Sequence, residues 1–346
     1  MTIGIGILGF AHSHIQAYCH AWRDDPALGV RVVAGWDYDA DRAQAAAEQH
    51  GVDLCDSPDE LLARDDVDAV VITAETSMHA DLVEQAADAG KSIILQKPMA
   101  LTLDEADRIV AAVERSGVPF TMAWQMRVDP QNVKMKSLLD EGAVGRPLMV
   151  RRRHGLSTHL WAGFEGSWHV APALNRDIWA DDAAHAIDFI YWLLGMPASV
   201  TAEIESLVNP KVPNDNGIAV FRYKGGPLAE VVCSFVCVAG ENTTEIVGDR
   251  GTIIQNYGDA PSANVPRPEG GVGLKWFLQD AGEWTESDIA SPPHHGQRIA
   301  ALAAPLAEFL RGDRPPIATA QEGRDVLKMT LACYESAAQG RRVELG

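Results

Sequence analysis

Cysteine is scarce and scattered: five residues, at 19, 55, 233, 237 and 333, with no Cys-x-x-Cys pair. That excludes a disulfide framework and leaves no structural zinc spacing. Long hydrophobic runs are missing as well, and none approaches the ~18 residues of a membrane span. Basic residues are in the minority, 29 Lys and Arg against 48 Asp and Glu, for a formal net charge of −19. The acidity is spread along the chain, and such a surface repels nucleic acid and anionic membrane, so neither is expected as a partner. The one basic run, Arg151-Arg152-Arg153, falls in an expected strand whose side chains alternate faces. It reads as a solvated or ion-paired edge rather than a binding patch. A core strand begins almost at Met1, which leaves no room for a signal peptide, so a cytoplasmic location is expected.

At 346 residues the chain can hold two domains of ordinary size. Residues 1–123 alternate strand and helix. Ile3, Ile5 and Ile7 lead a strand closed by Leu8, and His14 to Trp22 reads as a helix. Val30–Trp36 is a second strand, and Asp41–Gln49 an Ala-rich helix closed by Gly51. Ser57-Pro58-Asp59-Glu60 and Thr102-Leu-Asp-Glu105 are capping boxes, each opening a helix. Asp68–Ala74, Ser92–Gln96 and Val118–Ala123 are further strands, and Ser77 is expected to cap a helix running to Ala89. This alternation implies an α/β fold with a doubly wound parallel sheet, a Rossmann domain.

Residues 124–346 change rhythm. A helix over 130–141 leads to a strand over 147–153 and then to an irregular segment rich in Trp, His and Gly. A helix over 178–194 is followed by closely spaced strands between 198 and 278, too near one another for helical crossovers. The second domain is therefore expected to be α+β with a large, mainly antiparallel sheet, serving substrate binding and self-association. A Pro/Gly-rich loop over 258–273 and helices over 297–311 and 321–339 complete it.

The turn Gly9-Phe10-Ala11-His12-Ser13-His14 stands where a buried strand passes into a helix, the unit that offers a helix N-terminus to a pyrophosphate. A literal G-x-G-x-x-G at Gly4, Gly6 and Gly9 lies mostly within the strand and is a decoy. In the true register only Gly9 keeps its glycine, with Ala11 and His14 at the other two places. Ala11 can still allow close approach if its φ is negative. Asp37 ends the second strand, where a carboxylate accepts hydrogen bonds from the adenosine ribose hydroxyls. The plain alternative is a strand-end Asp capping the next turn. With no arginine at position 38, NAD is expected over NADP.

Lys97, in Gln96-Lys97-Pro98, follows a strand at its carboxyl end, where ligands bind in open α/β sheets. Asp181, His185 and Asp188 are spaced to share one helix face, and an imidazole held by a carboxylate is a general base. An ordinary helix histidine with acidic neighbours is the plain alternative. Asp182 is expected to point away from that face, towards solvent. Trp161, Trp168 and His169, with His154 and His159, lie in the irregular segment; tryptophan faces suit the apolar side of a sugar and also serve as core plugs. The histidine spacings match no compact ligand pattern, so no metal is expected. His294-His295 reads as a helix-start loop.

Taken in order, the Gly9 turn, Asp37, Val70-Val-Ile-Thr73 with His79, Gln96-Lys97-Pro98 and Asp181-x-Ala-x-His185-x-x-Asp188 resemble the Gfo/Idh/MocA oxidoreductases along nearly the whole chain. The resemblance implies Lys97, Asp181 and His185 as the catalytic group, a cis Lys97–Pro98 bond, and a sugar, cyclitol or related polyol as substrate. The cofactor contacts expected with NAD are Gly9, Phe10, Ala11, His12, His14, Asp37, Thr73, Ala74, His79, Gln96 and Lys97; those expected with substrate are Trp124, Trp161, Trp168, His169 and Asp182. A homo-oligomer, dimer or tetramer, is expected as in the family. Departures are plain: Gln96 for the usual Glu, Ala183 for Gly, Asn175-Arg176-Asp177 for a glycine triplet, and Glu75 for Pro. Two other activities fit the scaffold: a lyase or glycosidase using NAD catalytically, and a non-catalytic sugar or dinucleotide sensor.

Overall fold

The computed structural model describes residues 2–238, 242–255, 272–290 and 295–346. Most of the expected loop over 258–273, and His294, lie outside the described residues. The chain forms two compact units, one of Met1–Gln125, Ala173–Asn175 and Ile299–Leu327, the other of Met126–Pro172, Arg176–Arg298 and Lys328–Gly346.

The first unit carries a six-stranded sheet of β1 (Ile3–Leu8), β2 (Val30–Trp36), β3 (Asp53–Leu54), β4 (Ala69–Ile72), β5 (Ser92–Leu95) and β6 (Phe120–Met122). All neighbours are parallel, in the order β3-β2-β1-β4-β5-β6. Strand order reverses beside β1, the switch point at which open α/β sheets bind ligands. Helices α1 (His14–Asp24), α2 (Ala40–His50), α3 (Pro58–Leu62), α4 (His79–Asp88) and α5 (Leu103–Ser116) alternate with the strands. β1 and β4 are buried almost throughout, as a sheet covered on both faces requires.

Caps set the helix starts. Thr102 forms the full reciprocal box with Glu105. At α3 the Ser57 hydroxyl accepts the Glu60 N–H, but the Glu60 carboxylate reaches back to the Asp56 N–H instead of that of Ser57. Ser77 does not cap α4. A 3₁₀ turn over Thr76–Met78 precedes that helix, and Met78 is its first flanking residue.

A single cut at residue 123 does not describe the first unit, because α9 (Ala303–Arg311) returns to it. Its residues pack on α1, where the Trp22 indole donates to the Ala303 carbonyl at 2.9 Å. The expected helix over 297–311 is two, α8 (His295–Ala300) and α9.

In the second unit nine strands make one mixed sheet: β7 (Pro147–Gly155), β8 (Ser199–Glu205), β9 (Asn216–Arg222), β10 (Leu228–Ser234), β11 (Thr243–Gly248), β12 (Gly251–Gln255), β13 (Leu274–Leu278), β14 (Trp284–Glu286) and β15 (Val343–Glu344). Their order is β14-β13-β12-β11-β7-β10-β9-β8-β15, antiparallel except where β7 meets β10. The arginine run is therefore in a middle strand and not at an edge. Arg151 pairs across strands with Glu230 at 2.9 Å and Glu245 at 3.4 Å. Arg152 turns inward, donates to Thr244 and Gln255, and stacks its guanidinium over Phe189. Helix α6 (Pro130–Asp140) precedes β7, and α7 (Ala184–Leu194) lies on this inner face against β7 and β10.

Candidate active site

The cofactor end is built at the carboxyl ends of β1, β2, β4 and β5. Gly9 has φ +86°, and a Cβ there would stand 2.4 Å from the Ala74 Cα, so no other residue fits the turn. Gly4 and Gly6 are packing positions: a Cβ on Gly4 would meet the Asp66 carbonyl at 1.8 Å and one on Gly6 the Leu61 side chain at 2.5 Å. Both glycines are thus required by packing within the sheet. Ala11 is not among the described non-glycine residues with positive φ, namely Arg176 and Asn214, so the close approach remains open to it. The turn is tied to β4 by the His12 N–H donating to the Thr73 carbonyl at 2.9 Å and by the Thr73 hydroxyl donating to the Gly9 carbonyl. The Ser13 side chain does not cap α1, and its first turn carries no acid. A helix start of this kind suits a pyrophosphate.

Asp37 is buried at the end of β2 and accepts four donors. Phe10 N–H (2.6 Å) and Arg42 Nε (2.7 Å) reach Oδ2; Asp39 N–H (2.9 Å) and Arg42 Nη2 (2.7 Å) reach Oδ1. The turn-capping reading of Asp37 is thus seen directly. Arg42 was not foreseen, although Asp39 as N-cap of α2 puts position 42 in the first turn after β2. Glu75, 1% exposed, meets the same guanidinium through Nη2 at 3.0 Å and accepts the Tyr38 hydroxyl at 2.8 Å.

Lys97 and Gln96 are buried at the end of β5, and the Lys97–Pro98 bond is cis. Gln96 donates from its amide to the Tyr18 hydroxyl at 2.8 Å, and burial pushes that phenol well above its usual range. His79 braces two loops: one ring nitrogen faces the Pro98 and Met99 carbonyls and the other the Ala74 carbonyl. Burial lowers its pKa. Trp124 is 1% exposed, in the core of this unit.

In the second unit the residues ahead of α7 are not α-helical. Arg176 takes φ +75°, the conformation that a glycine triplet would supply, and Trp179–Ala183 forms a π-helical turn. Asp177 anchors it, accepting the Ala180 N–H, the Asn214 amide at 2.6 Å and the Tyr334 hydroxyl. Burial lifts its carboxyl pKa. The wide turn breaks the 3.6-residue spacing between Asp181 and His185, and the three acids of the segment take separate partners. Asp181 lies 3.4 Å from His169 Nδ1. Asp182 does not point to solvent: its Oδ1 is 3.9 Å from both His185 Nε2 and His154 Nε2, and the two rings lie 5.9 Å apart. Asp188 is engaged by Arg127 in a buried pair, Nη2 to Oδ1 at 2.8 Å.

His169 stacks on Phe164 and lies against Trp168, and Phe164 meets the edge of Trp161. Trp161 and Trp168 are partly exposed, so neither is a core plug. Among the described residues no group of three or more His, Cys, Asp or Glu is arranged to hold a metal, and no helix is long and apolar enough to cross a membrane.

A doubly wound parallel sheet with a glycine turn at its switch point, a strand-end acid and a strand-end lysine defines a dinucleotide-dependent oxidoreductase. Residues 2–124 match the family model described as an oxidoreductase family with NAD-binding Rossmann fold, and residues 132–254 match the GFO/IDH/MocA C-terminal domain. The chain belongs to the GFO/IDH/MocA oxidoreductase family. It is 31% identical to an inositol 2-dehydrogenase of Saccharopolyspora erythraea, over 73% of each chain. Its identity to the D-apiose dehydrogenase of Paraburkholderia graminis is 28%, over 99% of this chain and 88% of that one. Among solved structures, an Agrobacterium radiobacter oxidoreductase in complex with NAD+, L-tartaric acid and magnesium superposes with a TM-score of 0.83 at 24% identity, covering 100% of this chain and 99% of that one; it shares the fold.

Proposed function

We propose that this protein is an NAD-dependent dehydrogenase acting on a hydroxyl of a sugar, cyclitol or related polyol. The observation that carries the reading is the buried His185 imidazole with a carboxylate, Asp182, 3.9 Å from its Nε2, on the helix that bears the family's Asp-x-x-x-His pattern. The curated relatives named as D-apiose and inositol dehydrogenases support the substrate class.

NAD, when bound, accepts the hydride from the carbinol carbon. Gly9, Phe10, Ala11, His12 and His14 hold its pyrophosphate end, Asp37 its ribose, and Thr73, Ala74, His79, Gln96 and Lys97 line the rest. His185 takes the hydroxyl proton, and the charge the ring then carries is met by Asp182. Lys97 lowers the cost of the developing alkoxide. Asp181 orients the substrate, and Trp161 and Trp168, with His169, offer aromatic faces to its ring.

The protein is further read as a cytoplasmic homo-oligomer. Ile218, Val220 and Leu228 are exposed on the outer face of the second sheet, an apolar surface of the kind that self-association covers; light scattering on the purified protein gives the state directly.

The test is a panel of sugars and cyclitols with NAD or NADP. NADH should accumulate stoichiometrically with oxidised product, and faster with NAD than with NADP. Product formed on catalytic NAD with no net NADH would mark a lyase or glycosidase instead. No turnover on any member, with dinucleotide binding intact, would point to a sensor.

A further inference from the structure

Resting on the reading of an NAD site at Asp37, we infer that Glu75 is a second determinant of cofactor choice, acting by neutralising Arg42. Arg42 stands beside the carboxylate that would receive the ribose, where a guanidinium ordinarily recruits a 2′-phosphate. Here it is shared between two acids. It contacts Asp37 at 2.7 Å through both Nε and Nη2, and Glu75 at 3.0 Å. The side chains of Asp37 and Glu75 are 0% and 1% exposed, and that of Arg42 is 26% exposed. Two carboxylates against one guanidinium leave a net negative charge in a poorly solvated place. A 2′-phosphate, carrying about −1.5 to −2 at neutral pH as phosphate monoesters do, meets that charge and finds the Arg42 guanidinium already shared by two carboxylates.

All four lone-pair positions of Asp37 are occupied by protein donors. Ribose hydroxyls would reach Asp37 only where Arg42 gave up its share, and Glu75 would then hold the guanidinium. Tyr38 steadies Glu75 through its hydroxyl at 2.8 Å, with Arg42 over its ring at 5.2 Å. Replacing Asp37 alone therefore leaves Arg42 on Glu75, and the gain towards NADP stays small until Glu75 is changed too.

The experiment measures NAD and NADP binding by titration calorimetry on the full chain, wild type and Glu75→Gln, which keeps an acceptor for Tyr38. The ratio of NADP to NAD affinity should rise about tenfold in Glu75→Gln and further in the Asp37→Ser, Glu75→Gln double variant. The gain from Glu75→Gln should shrink to less than about threefold when Arg42 is Met, since it runs through the guanidinium. A wild-type measurement covers the case of a variant that does not fold. Raising salt from about 0.05 to 0.5 M screens repulsion, so it should improve NADP binding relative to NAD; the opposite trend would mean the 2′-phosphate meets net positive charge, and the inference is wrong. A folded Glu75→Gln protein with an unchanged ratio also overturns the role of Glu75 while leaving the NAD site standing. Wild-type protein that binds neither dinucleotide overturns the NAD reading itself.

Discussion

His185→Ala should cost roughly 10²–10⁴ in turnover, the range for removing a general base, with little change in NAD affinity. The imidazole is 3% exposed, with Asp182 Oδ1 3.9 Å from its Nε2, so a proton accepted by the ring in the proposed reaction would create a cation beside a carboxylate. Lys97→Ala should lose a comparable factor, because the alkoxide then develops without a positive charge nearby. The double variant should fall well short of the product of the two losses, since in the proposed reaction both groups act on one proton and one oxygen. Asp182→Asn separates the carboxylate's contribution: the base remains and its counter-charge goes, so turnover should drop less than in His185→Ala. Thermal stability, NAD affinity and turnover on the same preparations decide the matter. A folded, NAD-binding His185→Ala protein with unimpaired turnover leaves His185 a structural histidine.

Much of the first unit is legible in the sequence because its signals are local. The Ile3-Ile5-Ile7 alternation, the Thr102–Glu105 box and the glycine after α2 each act within a few residues, and the structure carries all three. The decoy at Gly4 and Gly6 was resolved by the same kind of argument, since a strand interior cannot present a phosphate loop. What was hidden depends on contacts distant in sequence. Arg42 meets Glu75, and His154 on β7 meets Asp182; neither has a spacing that marks it. The return of α9 to pack on α1 is equally invisible, as its apolar face would suit either unit. Asp182 was misplaced for a different reason. The expectation assumed 3.6 residues per turn, and the π-helical turn at Trp179–Ala183 shifts each side chain around the axis. Its one sequence hint is the run Asn175-Arg176-Asp177 where glycines are usual, which marks an irregular entry to the helix without giving its period.

Asp188 provides the sharpest contrast with His185, one turn away on the same helix. The spacing Asp181, His185, Asp188 groups all three as chemistry, whereas the structure gives Asp188 to Arg127, with Nε at 3.1 Å from both carboxylate oxygens and Nη2 at 2.8 Å from Oδ1. The side chains are 3% and 0% exposed. Removing one member of a buried pair strands the other charge out of water, a loss of about 3–5 kcal/mol. For a domain of this size that is a drop of roughly 6–20 °C in Tm, taking about 2–4 °C per kcal/mol. Asp188→Ala should therefore be strongly destabilised, yet the fraction that stays folded at low temperature should turn over within about tenfold of wild type, far from the loss expected of His185→Ala. Replacing both partners together, Arg127→Met with Asp188→Leu, should recover most of the stability, because a well-packed apolar pair avoids the desolvation of two ions. An Asp188→Ala protein as stable as wild type but inactive would return Asp188 to the catalytic face and remove the structural role given to its pair with Arg127.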